Sequence, residues 1–221
     1  MSPDLVIGLI AGGDAALRRS SESSEDSEEN GKNDLIAHHF SARDVVVAIS
    51  ASGYAPYCCG ALKYAHSIGA AAISLSCNSP SPFSPLADIA IEVPTGPEVI
   101  SGSTRLKAGT ATKMVLNMLT TSTMIRLGKT YQNLMVDVRA TNNKLRARAL
   151  RLTIAATGAS EVEAERALST CSGSVKTAIV MLLCKMGAGE AQSVLNVENG
   201  YIRRVLEKHE VKGTDADTLI P

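Results

Sequence analysis

Four short apolar segments stand out in the first half of the chain. They are Leu5 to Ile10, Val45 to Ile49, Ala71 to Leu75 and Ile89 to Val93. Short runs rich in Val, Ile and Leu are typical of strands that helices cover on both faces of a parallel sheet. The pattern therefore predicts four strands, and the first of them is expected at Leu5 to Ile10.

Helical patterns separate and follow these strands. Tyr57 to Ile68 has an apolar stripe and is followed by Gly69, a residue type that often ends a helix. A longer pattern runs roughly from Thr104 to Leu127, where Met114 and Met118 lie at helical spacing and indicate core packing. The alternation of strands and helices predicts an α/β fold with a parallel, doubly wound sheet.

The character of the sequence changes near Thr141. Three short amphipathic helices are predicted after this point, and Ser160 with Glu163 fits a capping box at the start of one of them. The predicted organisation is an α/β domain over residues 1–140, a small helical module over 141–208 and a flexible tail over 209–221.

Composition excludes several classes of partner. Lys plus Arg and Asp plus Glu balance at 22 each, and the chain has no Trp and only two Phe, which argues against nucleic acid as a ligand. No segment approaches the roughly 20 apolar residues of a membrane span. Five cysteines without regular spacing are typical of reduced thiols in the cytoplasm, and the four histidines show no metal-ligand spacing.

Each predicted strand is followed by small or turn-forming residues. These turns are expected at one edge of the sheet, because ligands of open α/β sheets bind beyond the carboxyl ends of the strands. In Ser50-Ala51-Ser52-Gly53, hydroxyl groups precede a helix whose backbone N–H groups attract anions, so a phosphate monoester would fit. The alternative is that Ser50 and Ser52 only cap that helix.

Two further segments contain side chains that could bind a ligand. Ser101 to Lys107 opens the long helix with hydroxyls and cations, and Glu98 upstream could accept hydrogen bonds from sugar hydroxyls. The acidic run from Ser20 to Glu29 could direct one carboxylate toward the same edge. Helix caps and solvated charges are the alternative interpretation of both segments.

Seven segments share their residues, order and spacing with one protein family. They are 6–13, 44–47, 51–53, 96–99, 102–111, 133–138 and 156–160. In these segments the sequence resembles the N-acetylmuramic acid 6-phosphate etherases, and the match runs from about Leu5 to Leu206.

The resemblance implies a fold and an activity. The expected fold is a three-layer αβα sugar isomerase (SIS) domain with a parallel sheet, truncated at its N-terminus and followed by a three-helix, ubiquitin-associated-like module. The implied protein is a cytoplasmic homodimer that needs no metal or organic cofactor. It cleaves the D-lactyl ether of N-acetylmuramic acid 6-phosphate and releases N-acetylglucosamine 6-phosphate and D-lactate.

The implied mechanism is elimination followed by hydration. A carboxylate removes the proton at C2 of the open-chain sugar, a carboxylic acid protonates the departing lactate oxygen, and water adds to the unsaturated aldehyde. The resemblance assigns the base to Glu25. It places Ser50, Ser52 and Gly53 on the phosphosugar loop. Ser103, Thr104 and Lys107 fall on a second ligand-facing segment, next to Glu98.

The sequence departs from the family pattern at three places. Ser23-Ser24 replaces Gly-Ala beside the expected base, and Tyr54-Ala55 replaces Arg-Thr after the phosphosugar loop. The family's first main strand, its Gly-Thr-Ser-Gly loop and the glutamate that acts as acid have no counterpart in the 221 residues. This chain alone is therefore expected to be a weak or inactive etherase.

Two other functions are consistent with these departures. One is a non-catalytic sugar-phosphate-binding regulator related to glucokinase regulatory protein, which has a related architecture. The other is an aldose–ketose isomerase, since these enzymes share the domain type. The segment from Gly102 to Ala111 and the helical C-terminal part favour the etherase over the isomerase.

Overall fold

The computed structural model describes residues 5–19, 21–138 and 140–211. The chain divides into two compact units between Asn117 and Met118. This division falls inside the long helix, whereas the sequence predicts a boundary after residue 140. The predicted domain limits at residues 140 and 208 stay predictions, and most of the predicted tail, residues 212–221, lies outside the described residues.

The first unit alternates helices and strands in chain order. Its helices and strands are α1 (Gly13–Ala16), a 3₁₀ helix (Glu22–Asp26), α2 (Glu28–Ala37), β1 (Val45–Ile49), α3 (Pro56–Ser67), β2 (Ala71–Ser76), a short 3₁₀ helix (Ser84–Leu86), β3 (Ile89–Glu92) and the start of α4 (Lys107–Arg126). The strands β1, β2 and β3 and the helices α3 and α4 occur where the sequence predicts them, within a few residues.

The three strands form one parallel sheet in the order β1-β2-β3. Val45 pairs with Ala71, and Ile73 pairs with Ile89. The core of this unit lies between the sheet and α3, where Leu62 and Phe83 are fully buried. The α/β class and the parallel sheet are therefore confirmed, and all three strands present their carboxyl ends at one edge.

The strand predicted at Leu5 to Ile10 is not formed. Within the described residues the parallel sheet has three strands, and Leu5 and Val6 are 57% and 59% exposed. A strand needs a hydrogen-bonded neighbour, and this segment has none in that sheet. On the face of the sheet opposite α3, Val45 and Ile89 are also exposed, at 55% and 56%, whereas Leu75 is buried. Among the described residues, the expected helical cover is therefore incomplete on this face.

Two glycines bring α2 and α3 into backbone contact. A Cβ atom on Gly31 would lie 1.9 Å from the carbonyl oxygen of Tyr57, and one on Gly60 would lie 1.9 Å from that of Glu28. The hydroxyl of Tyr57 also donates to Asp34 Oδ2 at 2.6 Å. Because no side chain fits between these backbones, the two glycines fix the distance between the helices.

The second unit is helical apart from one short hairpin. Beyond the end of α4, its elements are β4 (Thr130–Tyr131), β5 (Leu134–Met135), α5 (Asn143–Thr157), α6 (Glu161–Thr170), α7 (Val175–Cys184), α8 (Ala188–Val197) and α9 (Ile202–Lys208). The hairpin residues Tyr131 and Leu134 are buried in the same core as Ile179 of α7.

The described part of residues 141–208 contains five helices, α5 to α9, and not the three that the sequence predicted. The prediction missed α8 and α9, which are short and follow the glycine-containing segments at Gly187 and Gly200. The capping box of Ser160 and Glu163 is confirmed. No single helix in the described ranges is long and apolar enough to cross a bilayer; only α6 and α7 together, bent by 118°, meet that criterion.

The contact between α2 and α3 yields a prediction. Replacing Gly31 or Gly60 by Ala places a methyl group within 1.9 Å of a backbone oxygen, so the helices must separate. We expect each change to lower the free energy of unfolding by about 1–3 kcal/mol or more, the usual cost of overpacking. Chemical denaturation of each variant measures this loss.

The matched control is Gly189→Ala in α8, where a Cβ meets nothing within 4 Å. This change should be neutral or stabilising, because alanine favours helix formation over glycine by about 1 kcal/mol. If the Gly31 and Gly60 variants were as stable as this control, the backbone contact would not limit the packing of α2 on α3.

Candidate functional site

The turn between β1 and α3 presents two hydroxyls side by side. Ser50 Oγ lies 3.0 Å from Ser52 Oγ, and the N–H of Tyr54 donates to Ser52 Oγ at 3.3 Å. The N–H of Gly53 donates to the carbonyl of Ser50 at 3.1 Å, which closes the turn. Ser52 is exposed, and its hydroxyl is therefore accessible to a ligand at the sheet edge.

Gly53 is required by both its conformation and its surroundings. Its φ of 71° lies in the left-handed region, which favours glycine. A Cβ at this position would lie 2.2 Å from Ser81 Oγ and 3.0 Å from the Cβ of Ser76. The turn is therefore in direct contact with the loop that follows β2.

Helix α3 begins directly after this turn and has no capping side chain. Its N-cap is Ala55, its first residue is Pro56, and its first turn contains no acidic residue. No acidic residue of α3 itself therefore neutralises the partial positive charge of this helix N-terminus. Pro56 has no N–H, and the N–H groups of Cys58 and Cys59 donate to the carbonyl of Ala55, so this end of α3 can contribute chiefly positive potential to an anion held by Ser50 and Ser52.

Glu25 lies close to the same end of α3. It belongs to the 3₁₀ helix that packs against α3, and its side chain is exposed. Cys58, in the first turn of α3, has its pKa raised to about 11, mainly by burial and in smaller part by the negative charge of Glu25. The Cys58 thiol also donates to the carbonyl of Ile49, the last residue of β1. These contacts place Glu25 near the β1–α3 turn.

Glu98 holds the first turn of α4. Its Oε1 accepts from the N–H groups of Leu106 and Ala108, both at 3.2 Å, and its Oε2 accepts from Lys107 N at 3.0 Å. These bonds, first of all the one from Lys107, hold the pKa of Glu98 below its ordinary value of 4.5. A carboxylate has about four acceptor positions, so roughly one remains for a sugar hydroxyl.

The other predicted residues of this segment surround the same helix terminus. Ser103 Oγ accepts from the N–H of Arg105 at 3.5 Å, and the carbonyl of Thr104 accepts from Gly109 N at 3.0 Å. Lys107 Nζ lies 3.8 Å from the position that a Cβ on Gly96 would take. The side chains of Thr104 and Lys107 are exposed. Lys107 also lines a shallow surface depression along α4.

The carboxyl end of β2 connects the two groups of candidate residues. Asn78 Nδ2 donates to the carbonyl of Ser52 at 3.2 Å, which ties this end to the β1–α3 turn. Cys77 Sγ donates to the carbonyl of Ala108 at 3.6 Å, which ties it to α4. Both groups thus meet the same strand end. No hydrogen bond joins Ser52 to Ser103 within the described residues, and their ligand roles stay predictions.

The sequence predicted a turn after β2 but did not single out three residues whose hydrogen bonds hold this region together. These are Asn78, Ser81 and, across the sheet in β3, Glu92, which accepts from Ser81 N at 2.9 Å. The sequence feature that could have identified Glu92 is its position directly after the apolar run Ile89-Ala90-Ile91. A charge at that position requires a partner, and a loop rich in Ser and Pro precedes the strand.

Comparisons with known proteins identify relatives over most of the chain. A family model described as the glucokinase regulatory protein N-terminal SIS domain matches residues 3–66. A Bacillus pumilus N-acetylmuramic acid 6-phosphate etherase is 51% identical over 210 residues, which cover 95% of this chain and 69% of the relative. The corresponding Photorhabdus laumondii protein is 52% identical, with 91% and 67% covered. N-acetylmuramic acid 6-phosphate etherase 2 of Vibrio cholerae is 52% identical, with 95% and 68% covered.

The hydrogen bonds of Glu98 yield a pH-dependent prediction. Because the folded pKa is lowered, this carboxylate stabilises the fold above its unfolded value of 4.5, and the contribution disappears as the pH falls through the folded pKa. We expect Glu98→Gln to lower the free energy of unfolding at pH 7. The difference from the unaltered chain should shrink below about pH 4.5. Urea denaturation between pH 3 and pH 7 measures it.

Glu29→Gln is the matched control, since Glu29 is an exposed carboxylate in the same unit, paired at the surface with Lys32. Its effect should be small, as is usual for exposed pairs. A pH-independent difference between Glu98→Gln and the unaltered chain would show that the charge of Glu98 does not support α4.

Proposed function

The chain belongs to the N-acetylmuramic acid 6-phosphate etherase family, and we propose that its sheet edge binds the phosphorylated amino sugar and carries out the proton abstraction of the lyase reaction. The proposed substrate is N-acetylmuramic acid 6-phosphate, and the proposed products are N-acetylglucosamine 6-phosphate and D-lactate. A cytoplasmic location, a homodimer and a ubiquitin-associated-like helical module are parts of the same proposal, and they are drawn from the family resemblance.

The phosphate is proposed to bind at the β1–α3 turn and not at the start of α4. The reason for this choice is a difference between the N-termini of α3 and α4. Glu98 occupies the N-terminus of α4, whereas the first turn of α3 has neither a capping side chain nor an acidic residue. A dianion is favoured where a helix N-terminus and hydroxyls converge and no carboxylate caps the helix. Ser50, Ser52 and Gly53 supply that turn.

The sugar is then proposed to extend toward the start of α4. Lys107 can approach the carboxylate of the lactyl group or a sugar oxygen, and the hydroxyls of Ser103 and Thr104 can bind sugar hydroxyls. Glu98 can accept at most about one further hydrogen bond, because three backbone N–H groups already use its oxygens. Its contribution to the ligand is therefore secondary to its contribution to α4.

Glu25 is proposed as the general base. It lies near the first turn of α3, and within the described residues it makes no hydrogen bond or ion pair. A base must begin ionised and accessible in order to take the C2 proton of the open-chain sugar. The C2 proton passes to the carboxylate, the lactate oxygen departs with a proton from an acid, and water adds to the unsaturated aldehyde.

The base assignment is tested by isotope exchange. When the chain is incubated with N-acetylmuramic acid 6-phosphate in deuterated water, we expect deuterium to appear at C2 of the sugar. Glu25→Gln should slow this exchange by about 100- to 10,000-fold, the usual contribution of a general base. Nuclear magnetic resonance or mass spectrometry of the recovered sugar measures the exchange.

Glu29→Gln serves as the control, since it removes an exposed carboxylate only four residues away. It should leave the exchange rate unchanged. Persistence of exchange in Glu25→Gln would remove Glu25 from the mechanism. Sugar binding without exchange by the unaltered chain would instead favour a non-catalytic sugar-phosphate-binding protein.

A further inference from the structure

The loop that follows β2 is hydrogen-bonded to the proposed phosphate turn. Asn78 Nδ2 donates to the carbonyl of Ser52 at 3.2 Å, and Ser76 Oγ donates to the carbonyl of Asn78 at 3.1 Å. Ser76 is only 1% exposed. The position of the Ser52 backbone is therefore coupled to a buried residue at the end of β2.

A second residue of the same loop packs against the turn. Ser81 is 5% exposed, and its Oγ would lie 2.2 Å from a Cβ on Gly53. The same Oγ accepts from the N–H of Phe83 at 3.2 Å, which fixes its direction. Ser81 thus occupies the space that a side chain at position 53 would need.

One carboxylate holds this loop in place. Glu92, the last residue of β3, accepts through Oε1 from the N–H of Ser81 at 2.9 Å and from the hydroxyl of Ser84. Two points of the loop from Ser79 to Ser84 are consequently bound to one side chain on the neighbouring strand.

We propose that Glu92 is a positioning residue for the phosphate-binding turn and acts on Ser50, Ser52 and Gly53 through the loop from Ser79 to Ser84. The inference rests on the proposed function, since it assigns the phosphate to the turn. Glu92 contacts the loop and the loop contacts the turn, so the carboxylate affects ligand binding without touching the ligand. Its role is to keep two hydroxyls at the spacing that a phosphate requires.

The geometry distinguishes this role from ordinary loop stabilisation. Glu92 binds the N–H of the same residue whose side chain packs on Gly53, and Gly53 N in turn donates to Ser50 O. Loss of the carboxylate should therefore loosen one turn at the carboxyl edge of the sheet. A general loss of stability would loosen the strands as well.

The first measurement is amide hydrogen exchange of the ligand-free chain. In Glu92→Ala we expect faster exchange at Gly53 than in the unaltered chain, while Ala48, whose N–H faces β2 within the ladder, stays protected. The control Phe40→Ala removes apolar packing before β1, at the opposite edge of the sheet. It should raise exchange of both amides together through global opening. Unchanged exchange at Gly53 in Glu92→Ala would overturn the inference, whatever the ligand result.

The second measurement is affinity for N-acetylglucosamine 6-phosphate, compared with unphosphorylated N-acetylglucosamine, by calorimetry. Glu92→Ala should raise the dissociation constant of the phosphorylated sugar about tenfold, which corresponds to roughly one hydrogen bond to a charged group. Binding of the unphosphorylated sugar should not change. Glu92→Gln keeps one carbonyl acceptor for Ser81 N and should restore most of the affinity.

The two measurements separate the inference from the proposed function. If the unaltered chain binds neither sugar, the proposed function fails, and the role of Glu92 in binding fails with it. If the chain binds the phosphorylated sugar and Glu92→Ala loosens Gly53 without weakening binding, the proposed function stands and this inference is wrong. Weakened binding together with local loosening supports both.

Discussion

The backbone contact between α2 and α3 is the constraint on which the arrangement of the site depends. Gly31 and Gly60 allow the helices to approach until only backbone atoms lie between them. The 3₁₀ helix with Glu25 directly precedes α2, and the β1–α3 turn directly precedes α3. Because these segments are continuous with the two helices, the helix distance sets the distance between the proposed base and the proposed phosphate turn. Tyr57 with Asp34 and Lys63 with Glu28 reinforce the same contact through side chains.

The sheet was predictable from the sequence because its signals are local. Continuous apolar runs define β1, β2 and β3, and the turn residues that follow them predict one functional edge. The segment from Leu5 to Ile10 has the same local signal but is not a strand, because strand formation also needs a neighbour to hydrogen-bond, which a single run of residues cannot specify. The helices α8 and α9 were missed for the opposite reason: their local signals are weak, and burial of Ala191, Leu195 and Ile202 in the second unit stabilises them.

The candidate site was predictable only in part. Glu25, Ser50 and Ser52 are candidates because they match a family pattern, and the two serines also because they follow a strand. The roles of Asn78, Ser81 and Glu92 depend on contacts between residues that are 11 to 26 positions apart in sequence. The hydrophobic periodicity of the sequence does not reveal such contacts. The packing of Gly53 against Ser81 is likewise visible only in the folded structure.

Three carboxylates near the C-terminal ends of the strands have different hydrogen-bond partners, and their proposed roles differ for this reason. Glu98 accepts from three backbone N–H groups of α4, and Glu92 accepts from the loop after β2. Donors of this kind stabilise the ionised form and use the lone pairs that a base needs to take a proton. Glu25 makes no such bond within the described residues and lies near the end of α3 that no side chain caps. The oxygens of Glu92 and Glu98 are therefore occupied by hydrogen bonds, which is why Glu25 is the carboxylate that is proposed as the base.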